Sequence, residues 1–115
     1  MQPIYTQTIF LGPTLAANHT VVFTMPFAAT LVAVSHVNST TNQGTLDIGT
    51  TSDDDVYLDG VTVGELDVPV LENTMADFVG SQFPHIPAST IVKVTITDHA
   101  SHMANVAVVL YFAEG

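Results

Sequence analysis

The sequence predicts an all-β fold: an antiparallel β-sandwich of the jelly-roll type with seven to eight strands. Three observations carry that expectation. Apolar and polar residues alternate along several short segments, the period of a strand with one face in a core. Turn signals recur between those segments, among them Gly12-Pro13, the polar cluster Asn38 to Gly44, and the two prolines between Ser81 and Ser89. No segment reads as a long helix. Two packed sheets accommodate this many strands in 115 residues.

Taken in order, Ile4 to Leu11 is the first strand, rich in threonine and aromatic residues and closed by Gly12-Pro13. Its inward face is undecided, because Tyr5, Ile9 and Leu11 compete with Ile4 and Phe10. Thr14 to His19 is a connector. Thr20 to Val37 then organises the rest of the chain, as two strands joined through Met25-Pro26-Phe27. Val21, Phe23 and Met25 share one side of the first. In the second, Leu31, Ala33 and Val37 share one side and Val32 and Val34 the other. Apolar residues on both sides predict a central strand with both faces covered. Thr45 to Thr50 is a strand that turns Leu46 and Ile48 inward.

Between Ser52 and Val63 two conformations compete. Ser52 and Asp55 have the spacing of a capping box, which would start one helical turn through Tyr57 and Leu58. Asp59-Gly60 reads instead as a tight hairpin turn between Val56-Tyr57-Leu58 and Val61-Thr62-Val63. Pro69 forbids a long helix across Leu66 to Gly80 and leaves room for a short one over Glu72 to Val79. Ser81 to Ser89 is an extended loop. Thr90 to Thr97 turns Val92, Val94 and Ile96 inward and Ile91, Lys93, Thr95 and Thr97 outward. After a polar loop, Asp98 to Met103, the last strand runs from Ala104 to Phe112. It buries Val106, Val108, Leu110 and Phe112 and exposes Asn105, Ala107, Val109 and Tyr111.

The chain has the length of one domain, residues 1–115, with residues 1–10 as a possible amino-terminal arm. Apolar residues make up 47% and charged ones only 10%, against about 25% in ordinary soluble domains. Lys93 is the one basic side chain among eleven carboxylates, for a net charge of -10. Nothing here displaces counterions from phosphate, so nucleic acid is excluded as a partner, and anionic membrane surfaces are disfavoured. Cysteine is absent, which removes disulfides and thiolate chemistry. The opening MQPIYTQTIF has no signal-peptide character, and no apolar run reaches the roughly 20 residues of a membrane span. A soluble intracellular product is expected, and the glycosylation-type triplets at Asn18 and Asn38 are then accidental.

Asp53, Asp54, Asp55 and Asp59 crowd one short stretch. Hard carboxylate oxygens suit a divalent cation such as calcium, with Asp53, Asp55 and Asp59 as the candidate ligands. Their spacing does not match a helix-loop-helix calcium site, so the favoured reading is a solvated acidic loop and no metal or cofactor is assigned. Adjacent acids on a loop also do not hold the roughly 5–9 Å separation that glycoside hydrolysis requires. Of the five histidines, His19, His36, His85, His99 and His102, only the last two are near neighbours, with Asp98 the one local carboxylate; zinc would need further ligands. Ser35-His36 lacks the nucleophile elbow that a serine hydrolase places around its serine. No enzymatic activity is predicted.

Phe23 to Ser35 (FTMPFAATLVAVS), Leu46 to Gly60 (LDIGTTSDDDVYLDG) and the ending Val106 to Gly115 (VAVVLYFAEG) resemble, together with the strand count, small jelly-roll virion proteins of tailed bacteriophages. These are the decoration, or cement, proteins that sit on the outer capsid, often as trimers. The resemblance implies a non-enzymatic structural protein made in the host cytoplasm and located at the virion surface. It would act as a homotrimer that clamps neighbouring subunits of the major capsid protein. Val32, Val34, Val109 and Tyr111, with Ile4 and Tyr5 of the arm, are the candidate subunit contacts. The arm, Met1 to Phe10, would order on reaching the capsid lattice. The alternative is a carbohydrate-binding or host-attachment module of a phage fibre or tail, against which the lack of tryptophan and the few aromatic residues count.

Overall fold

The alternating segments become strands in a computed structural model, which describes residues 3–15, 17–99 and 101–115. The strands are β1 (Ile4–Thr14), β2 (His19–Thr24), β3 (Ala29–Val37), β4 (Gly44–Thr50), β5 (Leu58–Thr62), β6 (Val70–Glu72), β7 (His85–Ile86), β8 (Ile91–Asp98) and β9 (Ala104–Glu114). One sheet has the order β1-β9-β3-β6, with β7 also paired to β3; the other has the order β2-β8-β4-β5. Every pairing is antiparallel. Among the described strands only β4 and β5 are consecutive and paired to each other; elsewhere the chain mostly alternates between sheets.

The described residues form nine strands, more than the seven or eight expected. The additions are short. β6 follows Pro69, and β7 is confined to two residues by Pro84 and Pro87, each of which lacks a ladder donor. In place of a helix over Glu72 to Val79 there are two 3₁₀ turns, Met75–Asp77 and Val79–Ser81.

One apolar core lies between the sheets. β8 and β9 face it as their alternation predicts, with Val92, Val94, Ile96, Val106, Val108, Leu110 and Phe112 buried. Leu46, Ile48 and Leu58 meet them from β4 and β5, and Leu31, Val34 and Ile86 from β3 and β7. β2 turns Val21 and Phe23 inward and leaves Val22 and Thr24 exposed, again as predicted.

Three sequence expectations are corrected. β3 does not keep strict alternation: its register with β9 passes from Leu31↔Phe112 to Ala33↔Tyr111, which inserts one extra residue at Val32. After this bulge Val34 and His36 face the core, so Val34 is fully buried and cannot be an outward contact. Residues 4–10 are not a free arm either, because Ile4 to Leu11 pair in unbroken register with Ala113 to Val106. The ladder decides the face: Tyr5, Ile9 and Leu11 turn toward the core, and Ile4 and Phe10 outward. Met1 and Gln2 lie outside the described residues. Lastly, neither alternative for Ser52 to Val63 is found: no helix lies between β4 and β5 among the described residues, and Asp59-Gly60 is not a hairpin turn. It is a bulge within β5, where the register steps from Leu46↔Val61 to Ile48↔Leu58 and both residues oppose Asp47.

Candidate functional surfaces

The acidic loop is held against β4 by that bulge. Gly60 adopts a left-handed conformation (φ 64°) and donates its N–H to Asp47 Oδ1 at 2.7 Å. Gly49 of β4 has no room for a side chain, because a Cβ there would lie 2.2 Å from the Asp53 carbonyl oxygen. The loop backbone therefore rests directly on the sheet. Carboxylate oxygens of Asp47, Asp55 and Asp59 come within 4.8 Å of one another, and so do those of Asp53, Asp54 and Asp55. Of the three residues named from sequence, Asp55 thus belongs to both groups, Asp59 to one and Asp53 to the other; Asp47 was missed because it sits on a strand. The crowding is electrostatically costly. The hydrogen bond with Asp53, then burial and the charge of Asp59, push the Asp55 carboxyl up to about 6. Burial raises Asp47 as well, against the lowering effect of the Gly60 N–H.

Two histidines, His36 and His102, make side-chain contacts that tie segments together. His36 is fully buried. Its Nδ1 accepts the Gly64 N–H at 3.2 Å, which places the proton on Nε2 for donation to Glu72 Oε2 at 2.6 Å. The ring thereby ties β3 to β6 and to the segment after β5. Ser35 lies on the opposite face of the strand, so the two side chains form no nucleophilic pair. His102 Nδ1 pairs with Asp98 Oδ2, while the other oxygen of Asp98 accepts the Met103 N–H. The Asp98 carboxylate is committed to closing its loop. Asn38, one of the two triplet asparagines, is also buried. Its Nδ2 donates to Gly64 O and Asn42 O, and its Oδ1 accepts from Thr40 N and Oγ1.

The outer face of the β1-β9-β3-β6 sheet gathers most of the contact candidates. Cross-strand partners share a face, which gives rows running Thr6, Tyr111, Ala33; then Thr8, Val109, Ser35, Leu71; then Phe10, Ala107, Val37. None of these is charged. Val109 and Tyr111 are half-buried on this face, Val32 is half-buried at the bulge, and Ile4 is exposed. Tyr5 departs from expectation: it stacks on Phe112 with ring centroids 5.0 Å apart and meets Phe27 edge-on, inside the sandwich. The sequence holds a signal for this neutral face that single-residue reading overlooks. No Asp, Glu, Lys or Arg precedes Asp47, so β1, β2 and β3 carry no formal charge.

The molecule is thus an all-β antiparallel sandwich with one neutral sheet face and a separate acidic loop. No protein-family model matches the chain, and a comparison with curated proteins finds no relative. Among solved structures, a chain of the cyanophage Pam1 capsid asymmetric unit is similar over 98% of this chain and 84% of its own, with a TM-score of 0.58 and 16% identity. At that identity the likeness establishes a shared fold.

Proposed function

We propose that this chain is a non-enzymatic structural protein of a phage virion, a jelly-roll decoration protein that binds the outer surface of the head and stabilises it. The observation that carries the reading is the fold shared, over nearly the whole chain, with a component of a cyanophage capsid asymmetric unit. The alternation of successive strands between two sheets supports the jelly-roll description. The neutral face built on β1, β9 and β3 supports self-association, with Val32, Val109, Tyr111 and Ile4 as contacts. Copies carrying a net charge of -10 repel wherever carboxylates meet, and this face brings none. A homotrimer closes such contacts into a ring, and the major capsid protein is the partner beneath it.

Quantitative mass spectrometry on purified particles tests the reading. A copy number that is a fixed multiple of the capsid lattice supports it, and absence from particles overturns it. A glycan array addresses the alternative of a fibre or tail module. Among the described residues Phe10 is the one exposed phenylalanine or tyrosine, so no Phe or Tyr stacking platform for sugars favours that second reading.

A further inference from the structure

The opposite flank of the sandwich, where β5 and β6 are the edge strands, differs in chemistry from the neutral face. Among the described residues, six of the eleven exposed large apolar side chains fall between Leu66 and Val79. A groove of about 390 Å³ opens there, lined by Thr62, Val63, Gly64, Glu65, Val68 and Val70. Its rim is a tight turn in which the Val68 N–H bonds the Glu65 carbonyl. Both central residues of that turn, Leu66 and Asp67, are left-handed, at φ 54° and 60°. Turns of this geometry favour asparagine and glycine, yet here a leucine stands at the tip with its side chain in solvent. The turn is clamped from behind, by Leu66 N–H to the Thr40 carbonyl and Asp67 N–H to the Asn38 carbonyl. An apolar knob is thus held rigidly outward beside two carboxylates, Glu65 and Asp67.

The charges select the occupant. A second copy related by a two-fold axis would bring its own Glu65 and Asp67 to the same place, and in any other orientation it has Lys93 as its only basic side chain. We propose that the β5–β6 flank docks a different protein, one that presents lysine or arginine next to an apolar side chain. The apolar group enters the groove between Val68 and Val70, packing against Leu66, and the cation meets Glu65 and Asp67. Electrostatic attraction of this kind sets orientation and association rate, while the apolar contact resists dissociation. The inference goes beyond the virion reading and does not depend on it.

The test titrates an alternating leucine–lysine peptide into the full-length chain, followed by calorimetry and by amide NMR shifts. Shifts are expected to concentrate on residues 62–70, and binding is expected to weaken with added salt. Replacing both Leu66→Ser and Val68→Ser is expected to weaken binding by about tenfold with unchanged circular dichroism. Asp54→Asn, in the acidic loop, is expected to leave affinity unchanged. Four outcomes overturn the proposal: no binding at low salt, shifts centred on Asp53 to Asp59, an affinity indifferent to the double replacement, or concentration-dependent shifts at residues 62–70 without peptide. The last would make a second copy the occupant. Each leaves the particle copy number, and with it the virion reading, to be decided separately.

Discussion

At the scale of single residues, stability rests on a few buried polar groups whose partners lie far along the chain. His36 is the clearest. Replacing it with Phe would fill the space but leave Gly64 N–H and the Glu72 carboxylate without their partner, at an expected cost of about 2–4 kcal/mol in chemical denaturation. Asp55 gives a pH dependence whose sign is fixed. Its carboxyl titrates near 6 in the folded protein against an ordinary value of 3.8, so between those values the folded chain holds a proton that the unfolded chain releases. That contribution is complete below the unfolded value and is lost as pH rises through about 6. Calorimetry should therefore find a gain in melting temperature between pH 7 and pH 5 that Asp55→Asn removes. Asp77 works in the other sense, lowered chiefly by the Thr74 N–H, so its contribution is lost as pH falls. The sequence displayed the acidic cluster plainly. It hid His36 and Asn38, since their hydrogen bonds to Gly64 span 28 and 26 residues and leave no local pattern.

At the scale of elements, strict alternation was a reliable guide where the ladder is regular. β8 pairs without interruption with both neighbours, and β9 with β1 from Val106 to Ala113; the extra residue in the β9–β3 ladder lies in β3, so the inward faces of β8 and β9 follow directly from sequence. Val94→Asp or Val108→Asp places a carboxylate where side chains are fully buried, and neither variant is expected to fold, as circular dichroism and solubility will register. Val34→Asp belongs with them. Sequence reading put Val34 on the outer face, where such a change would disturb only assembly, but the extra residue in β3 turns it into the core. A bulge costs one residue and carries no obligatory signature, so a strand apolar on both sides conceals it. The β5 bulge was hidden in the same way, because Asp-Gly serves a hairpin turn and a left-handed bulge equally well. Gly49 offers a local test of how the acidic loop is seated. Gly49→Ala pushes the loop backbone off β4 and should cost about 1–3 kcal/mol, with faster hydrogen exchange confined to residues 53–57.

At the scale of the whole molecule, charge is partitioned: none in the first three strands, and all eleven carboxylates from Asp47 onward. Self-association through the neutral face should then respond to a charge placed on it. Val109→Asp or Phe10→Asp is expected to shift light-scattering mass toward the monomer without altering circular dichroism, whereas Asp67→Asn on the far flank is not. An interface of standard size buries about 800 Å² per partner, enough for single outward charges to matter at its centre.

The pairing of β1 with β9 also has a consequence in time. Nearly a hundred residues separate the two strands, so β1 has no ladder partner until residues 104–114 have left the ribosome. During synthesis, eleven residues without a single charge wait as an open strand, the kind of segment that recruits copies of itself from neighbouring nascent chains. Closure of the first sheet is then the last event of folding rather than the first, on the millisecond-to-second scale of non-local β-proteins. Stopped-flow refolding should show amide protection in β1 arriving no earlier than in β9. Slower synthesis would lengthen the exposed interval, and the yield of intact protein should fall with it.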